Sequence, residues 1–347
     1  ERVPNVLMGR IFEELIRRYS EGSGETAGEH FTPTEVTRLM ANLLLVEDGG
    51  ALRRRGIVRS LYDPAAGTGG MLTGAVECLQ ELNPDARLAV YGQELNDESF
   101  VICRADMMLK GQDPENILPG NSLSNDGHAG SKFDYLLSNP PFGVDWRKVE
   151  RSVRDEHERL GFSGRFGPGL PRVSDGSLLF LLHMLAKMKP ANAGEPGSRI
   201  GIVLSSSAMQ AGDAGSGESE IRRWVIENDL LEAIVSLPSN LFHNTTLNVY
   251  VWILTNRKPP HRRGKIQLIN GTTRFRRMSR GIGHKRHEMT NDDIAELSRV
   301  FHDFKPGKLS RIFDNEDFGF CRVVVERPLR LSFQASPERI ERVRETL

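Results

Sequence analysis

Short β-rich apolar runs alternate with longer helical ones through most of this chain, which is the pattern of a βαβ fold. Strands are expected at Val58–Tyr62, Leu88–Tyr91, weakly at Asn116–Leu118, then at Tyr135–Leu137, Arg199–Leu204, Leu231–Leu237 and Asn248–Leu254. Helices are expected from Val36 onward, over Met71–Leu82 and Ser177–Met188, around Ile221, Trp224 and Val225, and near Asp292–Phe304. Ahead of them, Met8, Ile11, Phe12, Leu15, Ile16 and Tyr19 fall on one helical face, a packing stripe. The last two apolar strands flank Pro238–Thr246 and fit an antiparallel hairpin. Arg322–Val325 reads as β-like, and Ser336-Pro337-Glu338 as a capped helix start. Two stretches lack periodicity. Residues 143–176 are rich in Gly, Pro, Arg and Glu and read as an active-site flap, in which Trp146, Phe162 and Phe166 either stack on bases or anchor the loop. Ser205–Glu218 reads as a mobile loop.

Composition narrows the class. With 347 residues the chain can bury a full core. Lys plus Arg and Asp plus Glu are both 46, so the molecule as a whole has no field that draws it to nucleic acid, and any such contact must be local or shared. Cys78, Cys103 and Cys321 are odd in number and lack metal-type spacing, so reduced thiols are expected and no structural metal. The longest strongly apolar stretch, Leu178–Leu185, is too short to cross a bilayer, and no leader pattern is visible; a cytoplasmic protein without membrane contact is expected. Glu1 in place of a starting Met suggests a piece of a longer chain.

The chemistry is concentrated where strands end. Tyr135-Leu136-Leu137 stops at Asn139-Pro140-Pro141-Phe142, because two prolines cannot donate to a ladder. The carboxyl edge of an open α/β sheet is where ligands bind. Asn139 offers a carbonyl, the turn offers more, and Phe142 a flat apolar face; together they suit a planar amine such as that of a flipped adenine. Alone, such a stretch is most simply a rigid turn with Phe142 in the core. Upstream, however, Asp63-Pro64-Ala65-Ala66-Gly67-Thr68-Gly69-Gly70-Met71 has strand-loop-helix character, with glycines that admit a ligand and free N–H groups at the helix start. Glu94, just past the second strand, suits a ribose diol. Thr32-Pro33 before the Val36 helix reads as a cap, and a helix N-terminus there suits a carboxylate.

With Gly28-Glu29-His30-Phe31-Thr32-Pro33, Gly92-Gln93-Glu94 and Leu237-Pro238-Ser239-Asn240-Leu241-Phe242, these motifs run in order over most of the chain. The sequence resembles the adenosylmethionine-dependent N6-adenine DNA methyltransferases, and more narrowly the modification subunit of type I restriction-modification systems. Ala66 stands where many relatives carry cysteine. The resemblance implies a mostly parallel, doubly wound α/β sheet with a reversed strand near its C-terminal edge and a small C-terminal appendage. It divides the chain into 1–27, the end of a helical region; 28–257, the catalytic domain; and 258–347, a basic and helical portion that docks DNA or a partner. It assigns Asn139, Pro140, Pro141 and Phe142 to catalysis. S-adenosyl-L-methionine would be bound by Glu29, His30, Phe31, Thr32, Pro33, Thr34, Asp63, Ala65, Gly67, Thr68, Gly69, Gly70, Glu94, Asn121 and Ser122, with Phe180 either a further wall or plain core. Expected partners are DNA and the specificity and restriction subunits, with two copies per complex. Methylation of a protein glutamine or an RNA guanine amine remains an alternative, as does a non-catalytic cofactor-binding subunit.

One charge pattern stands apart from these motifs. From Ala233 to His287 there is no acid, while eleven Lys or Arg fall between Arg257 and Arg286. Such a span is either a solvated face or a surface aimed at phosphate, and DNA backbone contact is the expectation.

Overall fold

The computed structural model describes residues 32–192, 195–243, 245–327 and 334–346. The expected domain 1–27 and its apolar stripe therefore lie outside the described residues.

Besides a two-residue antiparallel pair, Ala191–Asn192 with Glu195–Pro196, the described residues form eleven strands: β1 (Val58–Asp63), β2 (Arg87–Glu94), β3 (Ile117–Pro119), β4 (Tyr135–Ser138), β5 (Arg199–Ser205), β6 (Leu231–Ser236), β7 (Val249–Thr255), β8 (Lys265–Asn270), β9 (Arg276–Ile282), β10 (Lys285–Glu288) and β11 (Ser310–Asp314). Nine of them form one sheet in the order β11-β8-β6-β7-β5-β4-β1-β2-β3, and β9 and β10 pair as a separate hairpin. From β3 to β5 all pairings are parallel. β7 runs antiparallel to both β5 and β6, which is the expected reversed strand. β6–β8 is parallel again and β8–β11 antiparallel. The sheet thus runs on past residue 257, so the expected boundary falls between two strands of one sheet.

Side chains alternate between two cores, as the period of a pleated strand requires. Leu61, Val90, Tyr135, Leu137, Val203, Val251 and Ile253 face a core that includes α1 (Thr34–Leu45) and α2 (Gly70–Leu82). Tyr62, Leu136, Ile202, Leu204, Trp252 and Leu254 face the opposite core, closed by the helix Ser177–Ala186. Strands buried on both sides explain why the sequence shows continuous apolar runs.

Four elements escape the apolar pattern. α3 (Asp97–Leu109) buries Ser99 and Asp106 beside Cys103 and Met107, so its inner face is half polar. α4 (Glu150–Leu160), inside the stretch read as a flap, buries only Val153 and carries an Arg154–Glu150 pair at 2.8 Å one turn apart. The stretch expected as a flap thus contains a helix. β8 and β11 are short and carry basic residues. Conversely, Arg322–Val325 forms no strand: residues 321–327 have no regular structure, and Val323, Val324 and Val325 are exposed. The expected loop 205–218 contains the short helix Ser207–Gln210 and the first residues of the helix Gly217–Glu227.

Candidate active site

β1 is flanked by β2 on one side and β4 on the other, and chain order reverses there, so a crevice opens at their carboxyl ends. The turn after β1 is tied to its neighbours at nearly every residue. Asp63 Oδ1 accepts the Ala65 N–H at 2.9 Å and the Ser138 hydroxyl at 2.7 Å, joining the ends of β1 and β4. Ala66 N–H donates to Gln93 O at 3.0 Å, and Gly67 N–H to Glu94 Oε2 at 2.7 Å, joining the turn to β2. Gly69 is left-handed, φ 90°, and a Cβ there would lie 3.0 Å from both Cys103 Sγ and Met107 Cε. Only glycine fits that crossing.

These ties surround a cavity of about 610 Å³, within the size range of cofactor sites. Of the expected residues, Thr32, Thr34, Ala65, Gly67, Thr68, Gly70, Glu94, Asn121, Ser122, Asn139 and Pro141 line it. Pro33, Asp63, Gly69, Pro140 and Phe142 do not, and Glu29, His30 and Phe31 lie outside the described residues. Pro33 caps α1 instead, its carbonyl accepting the Val36 N–H at 2.9 Å. Ser122 Oγ donates to Pro64 O at 2.6 Å, and Asn121 Oδ1 accepts the Leu123 N–H at 2.9 Å, which shapes the wall after β3. Phe180 is also in the lining. Sequence reasoning missed Thr37, Glu77, Leu95, Asn96 and Asp97, which line it too. Leu95-Asn96-Asp97 directly follow Glu94, and a polar run after a strand end was the available signal.

Charge tells more about the ligand than shape does. Glu77, Glu94, Asp97 and Asp106 line the cavity, and among the described residues no Lys or Arg does. Such a wall repels phosphates and favours a cation. Asp63, fully buried behind the turn, is pushed up to about 7 by burial, against the lowering effect of the Ser138 and Ala65 hydrogen bonds.

At the β4 end, Asn139 Nδ2 donates to Thr32 Oγ1 at 2.9 Å. Its Oδ1 is buried and has no hydrogen-bond partner among the described residues. A buried acceptor left empty costs about 1–3 kcal/mol, so this one is held open against its own stability. Phe142 is half-buried and meets Phe242 edge to face, with ring centroids 6.1 Å apart. The Leu237–Phe242 motif therefore supports Phe142 from behind, with Leu237, Leu241 and Phe242 buried.

The stretch 143–176 contributes no residue to the cavity lining and meets its wall through Arg165. Trp146 and Phe166 are buried, Trp146 with its Nε1–H donating to Arg172 O at 2.9 Å, so both anchor the loop. Phe162 alone of the three aromatics is exposed, at 73%. Arg165 reaches back to donate to Ser122 O at 2.7 Å and Leu123 O at 2.9 Å, while Glu156 holds its other edge. Its Nη1 also lies 3.0 Å from Nδ1 of buried His183, whose Nε2 meets the Tyr62 hydroxyl at 3.0 Å. Burial and then Arg165 hold His183 well below the usual imidazole range, so Nδ1 accepts and Nε2–H donates.

The eleven basic residues of 257–286 do not form one surface. Seven are ion-paired to carboxylates outside the acid-free span, among them Arg257 to Asp48, Arg274 to Glu296, Lys285 to Glu35, and buried Arg262 to Glu47 and Glu232. Most of that charge is structural.

Several known methylase subunits are similar to this chain. The chain is 28% identical over 308 residues to the type I restriction enzyme MjaIX methylase subunit of Methanocaldococcus jannaschii, covering 88% of this chain and 50% of that one. It is 30% identical over 303 residues to the MjaVII methylase subunit of the same organism, covering 86% and 46%. The solved type I methyltransferase subunit of Streptococcus thermophilus superposes with a TM-score of 0.72 at 26% identity, over 89% of this chain and 60% of that one. The chain thus spans about half the length of these curated relatives. Among the described residues no helix is long and apolar enough to cross a membrane. The family model for N-6 DNA methylase matches residues 4–330, nearly the whole chain, and this protein belongs to that family.

Proposed function

We propose that this chain is the methyltransferase subunit of a type I restriction-modification system, modifying the N6 amine of adenine in DNA with S-adenosyl-L-methionine as methyl donor. The observation that carries this reading is the empty acceptor Asn139 Oδ1 beside an acid-lined cavity of cofactor size. The cavity suits the proposed cofactor, which bears a sulfonium and an ammonium against one carboxylate, so a wall of four carboxylates favours it over phosphate-bearing nucleotides. When bound, S-adenosyl-L-methionine supplies an electrophilic methyl group on a positively charged sulfur.

The protein's own part is placement. Glu94 uses one lone pair of each oxygen on the N–H groups of Gly67 and Asn96, which leaves others for a ribose diol. Asn121 and Ser122 wall the cavity beyond it, and Thr32 and Thr34 border the end nearest Asn139. Asn139 Oδ1 accepts one hydrogen of the adenine amine, turning the nitrogen lone pair toward the cavity, with the Pro140 carbonyl taking the other. Phe142 offers the base a face. No side-chain nucleophile is required: the amine nitrogen would itself take the methyl group as the methyl–sulfur bond breaks, and the positive nitrogen so formed would lose a proton to solvent.

Specificity and restriction subunits are the proposed partners, with two copies of this chain per complex. The test is methyl transfer from labelled S-adenosyl-L-methionine to DNA, with and without a specificity subunit, followed by nucleoside digestion. N6-methyladenine is the expected product; label in protein glutamine or in RNA guanine would overturn the assignment.

A further inference from the structure

Once the ion pairs are set aside, exposed positive charge of the acid-free span concentrates on the β9–β10 hairpin. Arg277 and Arg280 are exposed and have no carboxylate partner among the described residues. The hairpin is moored beside the active site through its turn and β10. His284 N–H donates to His243 O at 2.8 Å and Arg286 N–H to Asn240 O at 2.9 Å, which binds β10 to the loop whose Phe242 backs Phe142. Gly283 has φ 53°, and a Cβ there would sit 2.6 Å from His243 O, so the turn is pressed against that loop. Lys285, in turn, pairs with Glu35 in the first turn of α1, next to Thr34 of the cavity wall.

We propose that this hairpin is a DNA-backbone contact built onto the rim of the active site, with Arg277 and Arg280 taking phosphates beside the base that enters it. The inference rests on the proposed function. A base swung out of a duplex stays joined to its backbone, so flanking phosphates must pass the rim on which Phe142 and its supporting loop sit. Guanidinium groups match phosphate oxygens two at a time, and arginines whose charge is not already matched are those able to do so. Of the other nine, seven are ion-paired and add little field of their own, while Arg263 and Arg286 turn their guanidinium groups onto backbone carbonyls, Lys258 O for the first and Gly283 O and Lys285 O for the second. Net charge is zero, so the contact would be local and would not make the whole molecule adhere to DNA.

The experiment compares the unsubstituted chain, Arg277→Gln/Arg280→Gln and Arg277→Lys/Arg280→Lys for binding to a duplex between 50 and 200 mM salt. Loss of two phosphate contacts should lower the salt slope by about 1.8 units, so the affinity ratio across that fourfold range shrinks by about twelvefold. Specific and unrelated duplexes should be affected alike, and the lysine pair should keep most of the slope. Cofactor affinity and melting temperature should not move. An unchanged slope in the glutamine pair overturns the inference, as does unchanged DNA binding with lost assembly onto an acidic protein partner. Methyl transfer by the unsubstituted chain is measured separately; its absence would count against the proposed function, while the slope still decides the hairpin.

Discussion

Replacing Asn139 with Ala should separate catalysis from stability and from cofactor binding more cleanly than any other change. Among the described residues the Asn139 side chain makes one neutral hydrogen bond, Nδ2 to Thr32 Oγ1, and its Oδ1 is buried without a partner. Removing the first costs about 0.5–1.5 kcal/mol, and removing the second relieves a burden of about 1–3 kcal/mol. The two offset, so the melting temperature should stay within a few degrees. Transfer is different. An acceptor fixed on the reacting amine before reaction belongs with preorganised donors and acceptors whose removal costs about 2.7–4 kcal/mol, so turnover should fall on the order of a hundred- to a thousandfold. Cofactor affinity, measured by calorimetry without DNA, should change little, since Asn139 faces the amine. A variant that unfolds early, or that methylates DNA at the normal rate, would refute the reasoning at its first or second step respectively.

Three further changes address the rest of the site. Glu94→Ala should weaken adenosylmethionine binding by about 1.5–3 kcal/mol, the scale of a hydrogen bond to a charged group, and calorimetry showing unchanged affinity would move the ribose elsewhere. Arg165→Ala should release the Ser122 and Leu123 carbonyls and raise the cofactor KM by about tenfold, ~1.4 kcal/mol, with kcat nearly kept and partial rescue in Arg165→Lys; a loss confined to kcat would deny it this positioning role. Asp63, raised from 3.8 to about 7 by burial, binds its proton more tightly folded than unfolded, so its contribution to stability is full below pH 3.8 and is lost as pH rises toward 7. Asp63→Asn should flatten that window in urea melts by a few kcal/mol; identical pH profiles for the two proteins would show the carboxyl to be already ionised.

What the sequence revealed and what it hid follow from one physical distinction. Strands β1, β4, β5 and β7 are covered on both faces, so their apolar runs are continuous and their carboxyl ends, with Asp63 and Asn139, were legible by eye. Elements whose buried face is polar were not. α3 buries Ser99 and Asp106, and α4 is held largely by charge pairs, so neither shows an apolar period. The acid-free span misled for a related reason. Carboxylates that neutralise it, such as Asp48 and Glu35, lie more than 200 residues away, at separations of 209 and 250. A linear count of charge sees only neighbours in sequence, and a folded chain pairs charge across space. Trp146 and Phe166 show the same limit, since an aromatic in a Gly-rich stretch gives no sign of whether it faces solvent or core.

The hydrogen bonds at the strand ends also show why these motifs must occur together. Asp63 joins β1 to β4 through Ser138, Gly67 joins the turn to Glu94 on β2, and Ser122 ties the wall after β3 to Pro64. Each partner is a residue of one motif bonded to a residue of another, so the cavity wall is a closed set of cross-links between four parallel strand ends. Asn139 is fastened to Thr32 in the same way, by its amide nitrogen, while its carbonyl oxygen has no hydrogen-bond partner among the described residues. Such an arrangement fixes an acceptor without satisfying it. Flexible placement would let Oδ1 find a backbone N–H or water and relax, and the preorganisation on which the proposed chemistry depends would be gone. The cross-links are therefore as much part of the site as the residues that would touch a ligand.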